Sequence, residues 1–140
     1  MPSNSQSGLL ILASNTYDYS AATQLLGALS LSHGNLKEAD IYLQESLNSF
    51  SKFSNENFSE TYIKHEKIRT YLYFISNTND CGFAKNKMAD VDTYFGAGPS
   101  IILADLTSQR QFLKANIQKY CSQGDVKTLT GVSAPPLANH

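Results

Sequence analysis

Apolar residues recur at intervals of three and four along most of this chain. Between Leu36 and Phe50 they fall at Leu36, Ala39, Leu43, Leu47 and Phe50, the spacing of one helix face. This predicts a helix from about Leu36 to Lys52, with Asn35 as its N-cap. A preceding helix is predicted from about Tyr17 to Ser32, with Asp18 or Ser20 near its start. His33-Gly34-Asn35 joins the two as a tight turn, because Gly34 can adopt positive φ and end the first helix at little cost.

Phe58 to Asn77 reads as a third helix. Its Ile63, Ile68, Tyr71, Leu72, Phe74 and Ile75 leave it apolar on more than one side, so it is expected at the centre of the fold. Asn77-Thr78-Asn79-Asp80 is a turn cluster. Phe83 to Phe95 reads as a fourth helix, with Phe83, Ala84, Met88, Val91 and Phe95 inward. Gly96-Ala97-Gly98-Pro99 breaks the chain. Leu103, Leu106, Leu113, Ile117 and Tyr120 then mark a fifth helix ending near Gln123-Gly124. The fold class expected is all-α, about five helices arranged as antiparallel hairpins.

The 140 residues fit one domain. Residues 1–16 form an N-terminal segment, 17–123 the helical domain, and 124–140 a tail. The tail contains Pro135-Pro136 and little periodicity, so it is expected to be loosely held. The apolar run Gly8 to Ala13 is far short of the roughly 20 residues a membrane-spanning helix needs. It also lacks the basic flank of a signal peptide. It is expected to pack on the first hairpin as a short helix or extended segment.

The Leu25–Leu47 stretch carries a family resemblance. Leu26-Gly27, Gly34, Glu38-Ala39, Leu43, Ser46 and Leu47 are similar to the pattern of a tetratricopeptide (TPR) repeat. Small residues at Gly27 and Ala39 suit a close crossing of the two helices, with Leu26, Leu43 and Leu47 filling the seam. The pattern departs at Thr23, Ser30 and Ser51, where the family carries an aromatic, a tyrosine and a proline. A generic antiparallel hairpin would also want small residues at its crossing. A shift of forty-five residues places Ala39 on Ala84, Leu43 on Met88, Phe50 on Phe95 and the Gly34 turn on Asn79. Gly27, however, falls on Leu72, and chance alignment of two amphipathic helices is the competing explanation.

The resemblance implies a short TPR-like array that binds other proteins and performs no chemistry. It places a concave groove along the first helix of each hairpin. The partner-binding residues carried over are Gln24, Ala28, Leu31 and Ser32, and, under the weaker second alignment, Arg69, Tyr73, Ser76 and Asn77. Arg69 and Tyr73 are the better anchors, one a rigid fork of donors and the other a broad amphipathic face, although Tyr73 equally suits the core. Antiparallel stacking also brings Cys81, at the start of the fourth helix, beside Cys121, at the end of the fifth. A disulfide there implies an oxidising compartment, periplasmic or secreted, with any export signal outside this sequence. Two unpaired thiols in a cytoplasmic protein are the alternative.

Charge and chemistry narrow the functional classes. The formal net charge is −1, and no basic stripe interleaved with aromatics points to nucleic acid. Abundant Asn and Ser with few charged residues suit an envelope or secreted protein. The cysteines lack the paired spacing of a zinc site, and neither metal nor cofactor is expected. No catalytic constellation is found. His33 lies in a turn, His65 beside Glu66 points a different way, and His140 is the final residue. Asp40, Glu45, Asp90 and Asp92 read as solvated helix residues. Gly96-Ala97-Gly98-Pro99 is no phosphate loop, because Pro99 removes a backbone donor. Asn57-Phe58-Ser59 matches a glycosylation triplet. The expected function is a protein-interaction module, an adaptor or assembly factor of the bacterial envelope. An inhibitor or immunity protein that binds a toxin, or a helical subunit with a small-molecule pocket, are the alternatives.

Overall fold

The computed structural model describes residues 16–50, 59–96 and 102–121. The expectations for the 8–13 run, the Asn57 triplet, the Gly96–Pro99 break beyond Gly96 and the tail therefore lie outside the described residues. Within them stand five helices: α1 (Thr16–Ser32), α2 (Leu36–Ser49), α3 (Glu60–Asn77), α4 (Cys81–Gly96) and α5 (Ala104–Cys121). None is long and apolar enough to cross a membrane.

Local chemistry sets the boundaries. Gly34 has φ of 74°, and the N–H groups of Gly34 and Asn35 donate to Leu31 O and Ser30 O at 3.0 and 2.9 Å. This is the Schellman termination that a glycine makes cheap. Asn35 caps α2: its Oδ1 accepts from the Glu38 backbone N at 3.1 Å, and its Nδ2 donates to Glu38 Oε2 at 2.9 Å. Ser30 Oγ donates to the other Glu38 oxygen at 3.1 Å, which ties the end of α1 to the start of α2.

Three starts differ from the periodicity reading, two of them because of a polar cap. Ser59 Oγ accepts from Tyr62 N at 3.1 Å, so α3 begins at Glu60. Asp80 Oδ2 accepts from Phe83 N at 2.8 Å, so α4 begins at Cys81, two residues before its first large apolar side chain. Leu103 precedes α5 and its carbonyl accepts from Thr107 N at 3.1 Å. Being 44% exposed, Leu103 is not the inward residue its spacing suggested. The first turn of α5 is anchored by Leu106 instead.

The hairpin α1–α2 packs against α3, α3 packs against α4, and α5 packs against both α3 and α4. Contacts between α1 and α3 advance together along both helices, from Gln24–Thr70 to Gly27–Phe74. The two helices are therefore parallel. Leu43, Ile68, Leu72, Phe74, Ile75, Val91 and Leu106 have almost no exposed surface, and each contributes roughly 1.5–3 kcal/mol by its burial. Four of these seven sit on α3, which explains why that helix is apolar nearly all round.

The small residue at Gly27 serves a second contact, beyond the hairpin crossing. A Cβ there would collide with the ring of Phe74 on α3, while the α2 neighbour, Tyr42 Cβ, would stand at 3.4 Å. Gly27 thus lies beside α2, as the hairpin pattern expected, and also admits the end of the Phe74 ring from α3. Where the family pattern calls for an aromatic, Thr23 is fully buried and its hydroxyl donates to Ser20 O at 2.9 Å.

Cys81 and Cys121 stand at disulfide distance, their Cα atoms 5.6 Å apart. Both are buried, and the link joins the start of α4 to the end of α5. Lys85 Nζ donates to the Cys121 carbonyl at 3.0 Å, satisfying one of the carbonyls left open at a helix end.

Candidate partner-binding groove

Helices α1, α3 and α5 present a shared side. On α3, Glu66, Arg69, Tyr73, Ser76 and Asn77 form an exposed to half-buried stripe, at positions three and four apart. Arg69 and Tyr73 of that stripe line an open groove of about 400 Å³ together with Ala21, Gln24, Leu25 and Gln109. α1 supplies Ala21, Gln24 and Leu25, and α5 supplies Gln109.

Arg69 is held in place from both sides. Its Nε donates to Glu66 Oε2 at 3.2 Å, and its other arm donates to Asp105 Oδ2 at 3.3 Å. The first bond is a local pair one turn back along α3, and the second reaches across to α5. The Arg69 side chain remains 46% exposed and Asp105 64%, so these are solvent-screened links of modest strength.

Beneath the groove lies a polar seam. Gln24 Nε2 stands 3.1 Å from Ser20 Oγ, 3.4 Å from Ser46 Oγ and 3.3 Å from Thr70 Oγ1. Ser20 and Ser46 hydroxyls are 2.9 Å apart. The Gln24 amide therefore bridges α1, α2 and α3 from the groove floor. Tyr73 is half-buried with its ring edge against Phe74, centroids 6.1 Å apart. Burial pushes its phenol above the usual tyrosine range.

The structure separates the carried-over positions. Gln24, Arg69 and Tyr73 come together in the groove. Ala28 and Leu31 are 1% and 7% exposed; both point into the packing of α1, and Leu31 borders a small hollow between the two hairpin turns, beside Gly34 and Thr78. Asn77 is half-buried, and its amide donates to Tyr73 O at 2.8 Å. Ser76 likewise donates to Tyr73 O at 2.8 Å, whereas Ser32 is exposed at the end of α1 and donates to Leu29 O.

Ala21, Leu25, Asp105 and Gln109 were missed. On α1 the groove stripe is rotated by one position from the family alignment, to Ala21 and Leu25. An apolar residue off the buried stripe, as Leu25 is, was the available signal. On α5 the resemblance supplied no second alignment, although Asp105 and Gln109 are four apart on one face.

Away from the groove, two acids expected to be solvated hold cations. Asp40 Oδ1 accepts from Lys87 Nζ at 2.5 Å, linking α2 to α4. Asp92 accepts from Arg110 Nε at 2.9 Å and from Lys114 Nζ at 2.9 Å, linking α4 to α5. Arg110 also stacks over the Phe95 ring at 4.3 Å. Partial burial alone would raise the Asp92 carboxyl; hydrogen bonds from Lys114 and Arg110, together with their charges, outweigh it and hold Asp92 below the ordinary aspartate range. Glu45 accepts from the Tyr19 hydroxyl at 3.2 Å. These pairs span helices, which periodicity along one helix does not reveal. Among the described residues no group of three or more His, Cys, Asp or Glu side chains is placed to hold a metal ion.

Comparison of the chain with known protein families, with curated proteins and with solved structures finds no significant match.

Proposed function

We propose that this chain is a protein-interaction module whose groove receives a peptide segment or helix of another protein. The observation that carries the reading is the convergence of Gln24, Arg69 and Tyr73, from two different helices, on one open groove completed by Leu25 and Gln109. Rigid aromatic and guanidinium groups beside apolar surface are the usual anchors of a protein interface. The polar seam under Gln24 holds that amide in position without filling the groove.

The order of helix packing supports a TPR-like stack. α3 lies against both members of the preceding hairpin, and α5 lies against both members of the next. Parallel neighbours α1, α3 and α5 then form the inner, concave row, and α2 and α4 the outer row. The likeness rests on this arrangement and on the residues of the first hairpin. The Cys81–Cys121 pair favours an oxidising setting such as a periplasm or the cell exterior, where a buried disulfide persists.

The test is affinity capture from the native organism with wild-type protein beside an Arg69→Ala/Tyr73→Ala variant of verified fold. A protein retained by the wild type and lost by the variant supports the groove. Equal retention by both refutes it.

A further inference from the structure

The groove is not uniform along its length. At the end near the start of α5, Arg69 is shared between Glu66 and Asp105. Two carboxylates around one guanidinium leave this trio with one uncompensated negative charge. Asp105 is the open member: its side chain is 64% exposed and its link to Arg69 is 3.3 Å long. An ionised carboxylate offers about four acceptor positions, and the Arg69 contact uses one of them.

Towards the other end the groove turns apolar. Leu25 is 59% exposed on α1 and Tyr73 lines the floor from α3. Phe112 stands three residues beyond Gln109, on the same side of α5, and is 62% exposed. Of the large hydrophobic side chains exposed among the described residues, Leu25 lines this groove and Phe112 shares the face of α5 that carries Gln109. Solvent-exposed apolar groups clustered around a concavity mark a contact surface more than singly scattered ones do.

Resting on the groove reading above, we infer that the occupant is a partner segment that pairs apolar side chains with a basic residue. Its apolar groups lie against Leu25, Tyr73 and Phe112. Its lysine or arginine sits beside Asp105 and completes the Glu66–Arg69–Asp105 trio. An acidic segment is disfavoured, because it reaches Arg69 only past two carboxylates. The basic contact lies on an exposed rim, so it sets partner choice and encounter rate more than total affinity.

A peptide-display library selected against the intact oxidised protein tests the assignment. Enriched sequences are expected to combine aromatic or branched aliphatic residues with lysine or arginine and to lack acids. A synthetic peptide of the enriched sequence should bind Asp105→Lys about tenfold more weakly than wild type, on the scale of a rim charge reversal. Exchanging its basic residue for glutamate should restore binding to that variant. Leu25→Asp and Phe112→Asp should each weaken it at least as much. All three positions are exposed, and unchanged helical circular dichroism verifies each fold. An acidic consensus, or a peptide lost on Leu25→Asp but indifferent to Asp105→Lys, overturns the basic assignment and leaves the groove standing. Peptides that bind every variant equally, or no enrichment at all, overturn both.

Discussion

The ring of Phe74 on α3 occupies the space that any side chain at Gly27 on α1 would need. Phe74 is fully buried, so the ring can yield only by displacing its neighbours in a close-packed core. Glycine normally costs about 1 kcal/mol in a helix interior relative to alanine. Here the collision outweighs that gain. Gly27→Ala is expected to destabilise by about 1–2 kcal/mol, the scale of core overpacking. Urea denaturation of Gly27→Ala, Phe74→Leu and the double variant checks this. The double variant should lose less than the sum of the single losses, because the two sites share one volume.

Lys87 and Asp40 bond α4 to α2, and they are unequally exposed. The Lys87 side chain is 11% exposed and that of Asp40 44%; the ammonium also lies 5.2 Å above the Phe83 ring. Removing the carboxylate leaves an ammonium in a site too enclosed to hydrate it well. Asp40→Asn is expected to cost about 1–2 kcal/mol, below the loss typical of a fully buried pair because Asp40 keeps water contact. Lys87→Met keeps the stem packing, leaves a half-exposed acid, and should cost less. Chemical denaturation of the two variants gives the order.

The Cys81–Cys121 link closes a loop of 40 residues. In the chain-entropy account a loop of that length stabilises by about 4 kcal/mol. The Cys81→Ser/Cys121→Ser variant should therefore unfold at a lower guanidinium concentration than the oxidised wild type. A reducing agent should move the wild type towards the variant and leave the variant unmoved. Coincidence of oxidised wild type and variant would remove the stabilising role.

Asp92 makes stability depend on pH at the acid end. Its carboxyl sits below the ordinary aspartate range in the folded state, so the unfolded chain takes up its proton first as pH falls. The contribution is fully present above the unfolded value near pH 4 and disappears as pH drops through the lower folded value. Asp92→Asn should flatten that part of a denaturation-against-pH profile, with the difference from wild type shrinking below about pH 4. A profile for Asp92→Asn parallel to wild type across the acid range would sink the assignment.

Tyr71 and Tyr94 act at the opposite end. Their rings lie 5.8 Å apart, and burial first, then the nearby Asp90 charge, raises both phenols above the ordinary tyrosine range. Stability from keeping them neutral is present below about pH 10 and is lost as alkaline pH rises through the raised folded values. Ultraviolet titration should show two late-ionising tyrosines fewer in the Tyr71→Phe/Tyr94→Phe variant, whose alkaline unfolding should begin at higher pH.

Much of the architecture follows from local pattern. The spacing of Leu36, Ala39, Leu43 and Leu47 determined α2 and its buried face, and Asn35 and Gly34 determined where α2 begins and α1 ends. The nearly all-round apolar character of α3 determined its central place, because no amphipathic surface helix tolerates so many buried directions. The cysteines followed from the same antiparallel order. Each of these depends on residues within a turn or two of one another, or on one helix period, and a chain read in order contains that information.

Only the tertiary structure decided which helix each surface meets. It set the Phe74 ring against Gly27 in addition to the α1–α2 crossing, and turned Ala28 and Leu31 into the core while bringing Leu25 to the groove. It also paired Asp40 with Lys87 and Asp92 with Arg110 across helices. One residue step turns a side chain by about 100° around a helix, so periodicity alone leaves the facing direction loose by a residue. A contact between residues 24 and 69, or 69 and 105, depends on how three helices sit side by side. That placement is set by packing summed over the whole core, and no local stretch of sequence carries it.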